Sequence, residues 1–352
     1  MPFDPTFFRE LCVAPGPTGF EAPVQRVVRR RLGDGWPVQA DPLGDLWAEA
    51  GPAGGPQVVV AAHADQIGLI VTYVDENGFV SFAAVGGVDQ QLLPGHDLVI
   101  HAAAGPVAGV VGRRPTHQIP KDERGKAPDM HEQFIDIGAP SREEALGRIA
   151  IGDPVTFAPG FLELADDTYA TLAADDRAGV YVAFRALELY KAAPGAATLV
   201  AVSTVHEETT FMGAKTQARR LSPEAIVVVD VDFATDYPGM DVKRTGGEVK
   251  LGGGPVIARG TGSNSRLFTV ICEVAQAEGV AFQVRAASGS MSTDADELMA
   301  AGAATLSLSV PLRYMHSPFE VVRGSDMEAA ASLIAALARR LGGAIHPGWS
   351  VP

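Results

Sequence analysis

The feature that most constrains this chain is a set of short, nearly uninterrupted apolar runs, each delivering acidic or histidine residues at its end. QVVVAAHAD (57–65), ATLVAVSTVHEE (197–208) and AIVVVDVDFA (225–234) are rich in β-branched residues and lack the alternation of a half-exposed strand. Such runs read as strands buried on both faces. Helical spacing of apolar residues recurs in DRAGVYVAFRALELYKA, AKTQARRL, SRLFTVICEVAQAEG, TDADELMAA and SDMEAAASLIAALARRL. AFQVRAA and ATLSLSV add further strands. Strand alternating with helix predicts a mainly parallel sheet covered on both faces. Two more helices are expected at 5–15 and 22–32, with Thr18 or Gly19 of PGPTGFE as the cap of the second.

The texture changes between 71 and 159. VTYVD, FVSFAAV, HDLVIHA, VAGVVG and DPVTFAP are short runs broken by Gly, Pro and Asp, and only PSREEALGR reads as helix. That pattern predicts a small β-rich unit, barrel-like in form. The expected organisation is therefore an α/β domain over 1–70 and 160–352, with the β-rich domain 71–159 inserted. The stretch 117–133 is polar and aperiodic and reads as a mobile loop, with His117 and His131 at the surface.

Composition excludes several functions. A net charge of −14 opposes general binding to nucleic-acid backbones or anionic membranes. No apolar run approaches the roughly 18 residues of a membrane-spanning helix. No basic-then-apolar leader opens the sequence, and Cys12 and Cys272 are too few for a disulfide framework. Both cysteines read as small buried apolar residues. A cytoplasmic location is expected.

The strand ends carry the chemistry, because ligand sites in open α/β sheets form at the carboxyl ends of strands. His63 and Asp65 follow the first run; an imidazole ligates zinc-like ions, and a carboxylate two residues on can fix its tautomer. Asp175 and Asp176 precede a helix, where they serve equally as a cap or as metal ligands, with Arg177 in support. Glu207 and Glu208 end a buried strand, and a buried carboxylate needs a cation or a proton. Adjacent carboxylates can divide the work, one as ligand and one as general base. Asp230 ends a third run, with Asp232 and Asp236 as rivals; alternation puts Asp230 and Asp232 on one face. His316 lies in VPLRYMHSPFEVV. Each has an ordinary explanation by itself. Together they amount to the ligand set of a two-metal hydrolytic site.

These segments, HADQIG, DDRAG, EE at 207–208, VDVDFATDYPG and RYMHSPFEVV, resemble those of the M42 metallo-aminopeptidases, the tetrahedral, glutamyl aminopeptidase or "endoglucanase M" group. PGPTGFE, AVGGVDQQLLPGHDLVIH, FIDIGAPSREEA and SGSMSTDADEL extend the resemblance over essentially the whole chain, in order. It implies a zinc-peptidase-like catalytic domain and two divalent ions per subunit, zinc or cobalt. His63 and Asp230 would hold one ion, Glu208 and His316 the other, with Asp175 bridging. Glu207 would be the general base acting on a two-metal-bound water, and Asp65 would orient His63. A cis Asp175–Asp176 bond is also implied. So are peptide substrates, dimer contacts through the inserted domain, and homo-oligomers up to a tetrahedral dodecamer. Gln66, His206, Thr209 and Ala173-Ala174 depart from the family pattern and bear on tuning and specificity. Alternative readings are a metal-dependent deacylase of N-acyl amino acids, which shares the ligand set, and a non-catalytic binding protein. A glycosidase would leave the histidines unused.

Overall fold

A computed structural model describes residues 2–341 other than 123 and 127. The chain opens with helices α1 (Pro5–Val13) and α2 (Ala22–Leu32), then strands β1 (Gln39–Ala40), β2 (Leu46–Ala50) and β3 (Gln57–His63). Six strands follow: β4 (Gly68–Val74), β5 (Val80–Val85), β6 (Asp97–Ala102), β7 (Gly105–Val111), β8 (Ile135–Asp136) and β9 (Pro154–Phe157), with helix α3 (Arg142–Leu146) before the last. Next come β10 (Phe161–Glu163), β11 (Thr168–Thr171), α4 (Ala174–Ala192), β12 (Thr198–Thr204), α5 (Glu207–Thr210), α6 (Met212–Arg220) and β13 (Ala225–Phe233). The remainder is β14 (Val256–Gly260), α7 (Ser265–Glu278), β15 (Gln283–Ala287), α8 (Asp294–Leu298), β16 (Ala304–Leu312), β17 (Glu320–Arg323) and α9 (Gly324–Leu341).

Eight strands form one sheet in the order β1-β2-β12-β3-β13-β16-β14-β15. Its centre, β12-β3-β13-β16, is parallel throughout, while β2 and β14 join antiparallel. This is the mainly parallel mixed sheet, flanked by helices, that the apolar runs predict. Their burial explains why alternation was absent. Val58, Val60 and Ala62 of β3 pack into one core with α4 and α9, while Val59 and Ala61 pack into another with α6 and α8. Both side-chain rows are therefore apolar. Helix α4, rich in alanine and buried along most of its length, packs against both the sheet and α9. β14 went unread in the sequence, because its three apolar residues sit among glycines in GGGPVIARG.

The strands β4-β5-β8-β7-β6-β9 close into a six-stranded barrel, β9 pairing with both β4 and β6. Its core is apolar: Leu69, Val71, Val80, Leu98, Ile100, Ile135 and Val155 are all buried. Of the 117–133 segment, residues 123 and 127 lie outside the described residues; the rest contains only two single 3-10 turns. Two smaller expectations need correction. Residue Glu21, not Thr18 or Gly19, sits at the N-cap of α2, and it makes no side-chain cap bond; Thr18 is drawn instead to Asp65. Cys12 is buried, but Cys272 is only half-buried, because it lies near the exposed face of α7.

Candidate active site

The parallel register brings the strand ends level. Thr204 of β12 pairs with His63 of β3, and Val228 of β13 pairs with Ala61, two residues before Asp230 and His63 respectively. Glu207 and Glu208 follow β12 immediately, after His206 turns the chain in the left-handed region. Asp175 and Asp176 interrupt helical geometry at the start of α4, and the peptide bond between them is cis. His316 arrives from the turn between β16 and β17.

These residues converge. Asp175 is central: its Oδ1 lies 3.2 Å from His63 Nε2 and its Oδ2 lies 3.2 Å from His316 Nε2. His63 Nε2 is also 3.9 Å from Asp230 Oδ1 and 3.7 Å from Glu207 Oε2, and His316 Nε2 is 3.6 Å from Glu208 Oε2. Two groups of candidate ligand atoms emerge, each within 4.8 Å of one another: His63, Asp176 and Asp230, and Asp175, Glu208 and His316. Asp176 is the weaker member of the first group, because its two oxygens already accept the backbone N–H groups of His63 and Gly179. Asp175 Oδ1 faces the same imidazole at 3.2 Å.

Asp65 does more than its sequence role. The ring Nδ1 of His63 is 3.2 Å from the Asp65 carbonyl and 3.5 Å from its Oδ1. The carboxylate meanwhile accepts the Glu207 N–H (2.9 Å), the Glu208 N–H (3.0 Å) and the Thr18 hydroxyl (2.7 Å). Glu320 was missed in the sequence and plays the matching part on the other side. Its Oε2 accepts the Asp175 N–H and its Oε1 the His316 N–H, and its side chain is buried. A carboxylate opening a β-branched run, EVV, was the signal available. Three buried carboxylates, Asp65, Asp176 and Glu320, thus grip the backbone of the residues that face the centre. Asp294, also missed, is buried beside them and accepts the Thr204 hydroxyl. Arg177 is fully buried and donates to the carbonyls of Leu11 and Ala14 and to Gln66 Oε1. The amide at 66, one of the departures from the family pattern, is therefore its side-chain acceptor. The rival carboxylates go elsewhere: Asp232 pairs with Arg285, and Asp236 with Arg313.

The barrel touches this centre at Gly86 and Gly87, beyond β5. A Cβ on Gly87 would stand 2.8 Å from His316 Nδ1, and one on Gly86 2.8 Å from Ile67 and 3.4 Å from Glu208 Oε2. Only glycine allows so close an approach.

Electrostatically the cluster is short of positive charge. Burial pushes Glu207 up to about 10, with Asp230, Asp294 and Glu208 adding to the rise. Burial likewise raises Glu208 to about 8 and Asp230 to about 7. The bond to Asp175 raises His316 to about 9. Burial alone would lower His63, but the carboxylates of Glu207, Asp175 and Asp65 hold it well above its usual value. Burial would raise Asp175, but the two imidazoles hold it below the ordinary carboxylate range. Buried acids in this state are relieved by protons or by a multivalent cation. Donor type and spacing fit a cation: tetrahedral ligands about 2.1 Å from zinc stand about 3.4 Å apart, and the imidazole–carboxylate separations of 3.2 to 3.9 Å bracket that value. Glu208 Oε1 is, in addition, a buried oxygen with no hydrogen-bond partner.

Comparison with known proteins agrees with this geometry. The family model of the M42 glutamyl aminopeptidases matches residues 44–333. A lysyl aminopeptidase of Pyrococcus furiosus is 33% identical over 312 residues, 86% of this chain and 87% of that protein. The fold matches a TET aminopeptidase from a marine-sediment Thaumarchaeota archaeon with a TM-score of 0.88 and 30% identity, covering 95% of each chain. It also matches the Pyrococcus horikoshii TET1 peptidase, which can assemble into a tetrahedron or a large octahedral shell, with a TM-score of 0.85 and 29% identity over 94% of this chain and 98% of that one. With a family match across most of its length and candidate metal-binding groups where its strands end, this chain belongs to the M42 family of aminopeptidases and is a peptide-hydrolysing enzyme.

Proposed function

We propose that the enzyme removes the N-terminal residue of peptides with two divalent ions, zinc or cobalt, one held by His63 and Asp230, the other by Glu208 and His316, with Asp175 shared. The observation that carries this reading is Asp175, each of whose oxygens faces a different imidazole at 3.2 Å. When bound, such ions supply Lewis acidity, polarising a peptide carbonyl and acidifying water.

The chain's own residues supply the rest. Glu207 is buried and faces the same space as His63; burial raises its affinity for a proton, and cations bound beside it would offset the neighbouring carboxylates and leave it ionised, ready to accept one. It therefore serves as the general base that takes a proton from water and delivers it to the departing amine. Asp65 fixes Glu207 and Glu208 through their backbone N–H groups, so base and ligand keep one geometry. The surplus of carboxylates favours a free, positively charged α-amino group over a blocked one, which confines cleavage to the first peptide bond.

The enzyme works in the cytoplasm as a homo-oligomer. The barrel forms the dimer contact, and dimers build a closed shell of the kind formed by its structural relatives. No described helix is long and apolar enough to cross a membrane.

Chelation should abolish cleavage of aminoacyl anilides, and Co²⁺ or Zn²⁺ should restore it, with calorimetry counting two ions per chain. Full activity in metal-free protein would end the two-ion reading. Cleavage of N-acyl amino acids but not of free-amine substrates would make the enzyme a deacylase. Light scattering on a sizing column reads the assembly.

A further inference from the structure

The cavity over the acidic and histidine cluster, about 630 Å³, runs from His63, Glu207 and His316 along the ends of β13, β16, β14 and β15. Beyond the cluster its walls are mostly apolar or hydroxylic, with Val256, Ala258, Met291, Met315, Ser307 and Ser309 among them. Among the described lining residues, the only charged side chains outside the cluster are Asp232 and Arg285. They neutralise one another. Arg285 Nη1 binds Asp232 Oδ1, and its Nη2 binds the carbonyl of Thr245. The same Asp232 oxygen accepts the Phe233 N–H at 2.8 Å. Both side chains are mostly buried, about four-fifths or more. Asp232 sits two residues past Asp230 on the same face of β13, which aims it into this part of the cavity.

We propose that this cavity selects an uncharged, apolar N-terminal residue, and that the Asp232–Arg285 pair sets that selection. The proposal rests on the aminopeptidase reading above. A charged substrate side chain entering here would leave water without an available counter-charge, and an unpaired buried charge is strongly disfavoured. An apolar side chain meets the walls at no such cost and releases water from them. The pair acts as a closed charge gate: removing either partner leaves the other as a ready counter-ion. Loss of Arg285 would expose a carboxylate suited to lysine or arginine. Loss of Asp232 would expose a guanidinium suited to glutamate or aspartate.

The test uses the metal-loaded full chain and a panel of Leu, Met, Ala, Lys, Arg, Glu and Asp anilides. In the unaltered enzyme, kcat/KM for Leu and Met should exceed that for Lys, Arg, Glu and Asp by at least about tenfold. Arg285→Met should raise the Lys:Leu ratio by about tenfold or more, and Asp232→Asn should raise the Glu:Leu ratio comparably. A preference of the unaltered enzyme for Lys or Glu overturns the proposal, and this arm needs no variant to fold. Folded variants whose ratios stay unchanged overturn it too. Failure to cleave any free-amine substrate while N-acyl amino acids are hydrolysed removes the aminopeptidase reading and the pocket assignment with it. Cleavage of the panel with the wrong ratios removes the pocket assignment alone.

Discussion

The two parts of the molecule are built on opposite terms. In the barrel, the buried polar side chains among the described residues of 68–157 are Gln133 and Thr156, and none of them is ionisable. In the α/β part, His63, Asp65, Asp175, Asp176, Arg177, Glu207, Asp230, Asp294 and Glu320 are all buried. The barrel is held by apolar packing and its strand ladders. The α/β part concentrates charge at the carboxyl end of its sheet and holds it with backbone N–H groups, leaving a deficit that a cation fits. The lesson is a division of labour: one part buries apolar surface, and the other gathers candidate metal ligands at its strand ends.

Perturbing the charged core should change chemistry by orders of magnitude. Glu207→Gln removes the proposed proton carrier while leaving the shape; kcat should fall by about 10³-fold, with metal binding measured by calorimetry preserved. A variant with normal turnover would remove Glu207 from its role. Glu320→Gln places an amide against one of two N–H donors that now share a carboxylate. Affinity for a divalent ion at the proposed Glu208–His316 site should weaken by about 10–100-fold, as for other residues that orient ligands. Unchanged metal titration would reduce Glu320 to a bystander.

Perturbing the apolar core should do the reverse. Ile100→Ala, deep in the barrel, should cost about 2–5 kcal/mol of stability in denaturant titration while leaving kcat/KM of the folded enzyme within about twofold. A large loss of turnover there would erase the contrast between the two parts. The smallest effect concerns the thiols. Burial pushes Cys12 up to about 12, so at pH 8 it stays protonated and unreactive, whereas half-buried Cys272 is alkylated first. Cys12 sits in the apolar core beside Phe8 and Leu11, close enough to Arg177 and Glu320 to feel their charges. Chelation should therefore speed its labelling, read by mass spectrometry, and leave the barrel's hydrogen exchange unaltered.

Much of this was legible because strands buried on both faces are conspicuous. Val58 to Ala62 could only be central, so the residue that ended the run, His63, had to stand at the sheet's carboxyl edge. The same reasoning reached Glu208 and Asp230. It could not reach Glu320, whose importance lies in two backbone donors 145 and 4 residues away. Nor could it pair Asp232 with Arg285 across 53 residues, because side-chain partners at that range depend on which strands become neighbours. The order β16-β14-β15 at the edge, with β14 running against β16, is a product of long-range assembly that no local pattern encodes.

The glycine pair at 86 and 87 is where the barrel reaches the charged cluster. A side chain there would press on His316 or crowd Glu208. Two bare backbone units are thus what the barrel brings to the border of the cluster, and Gly87 is part of the cavity wall itself.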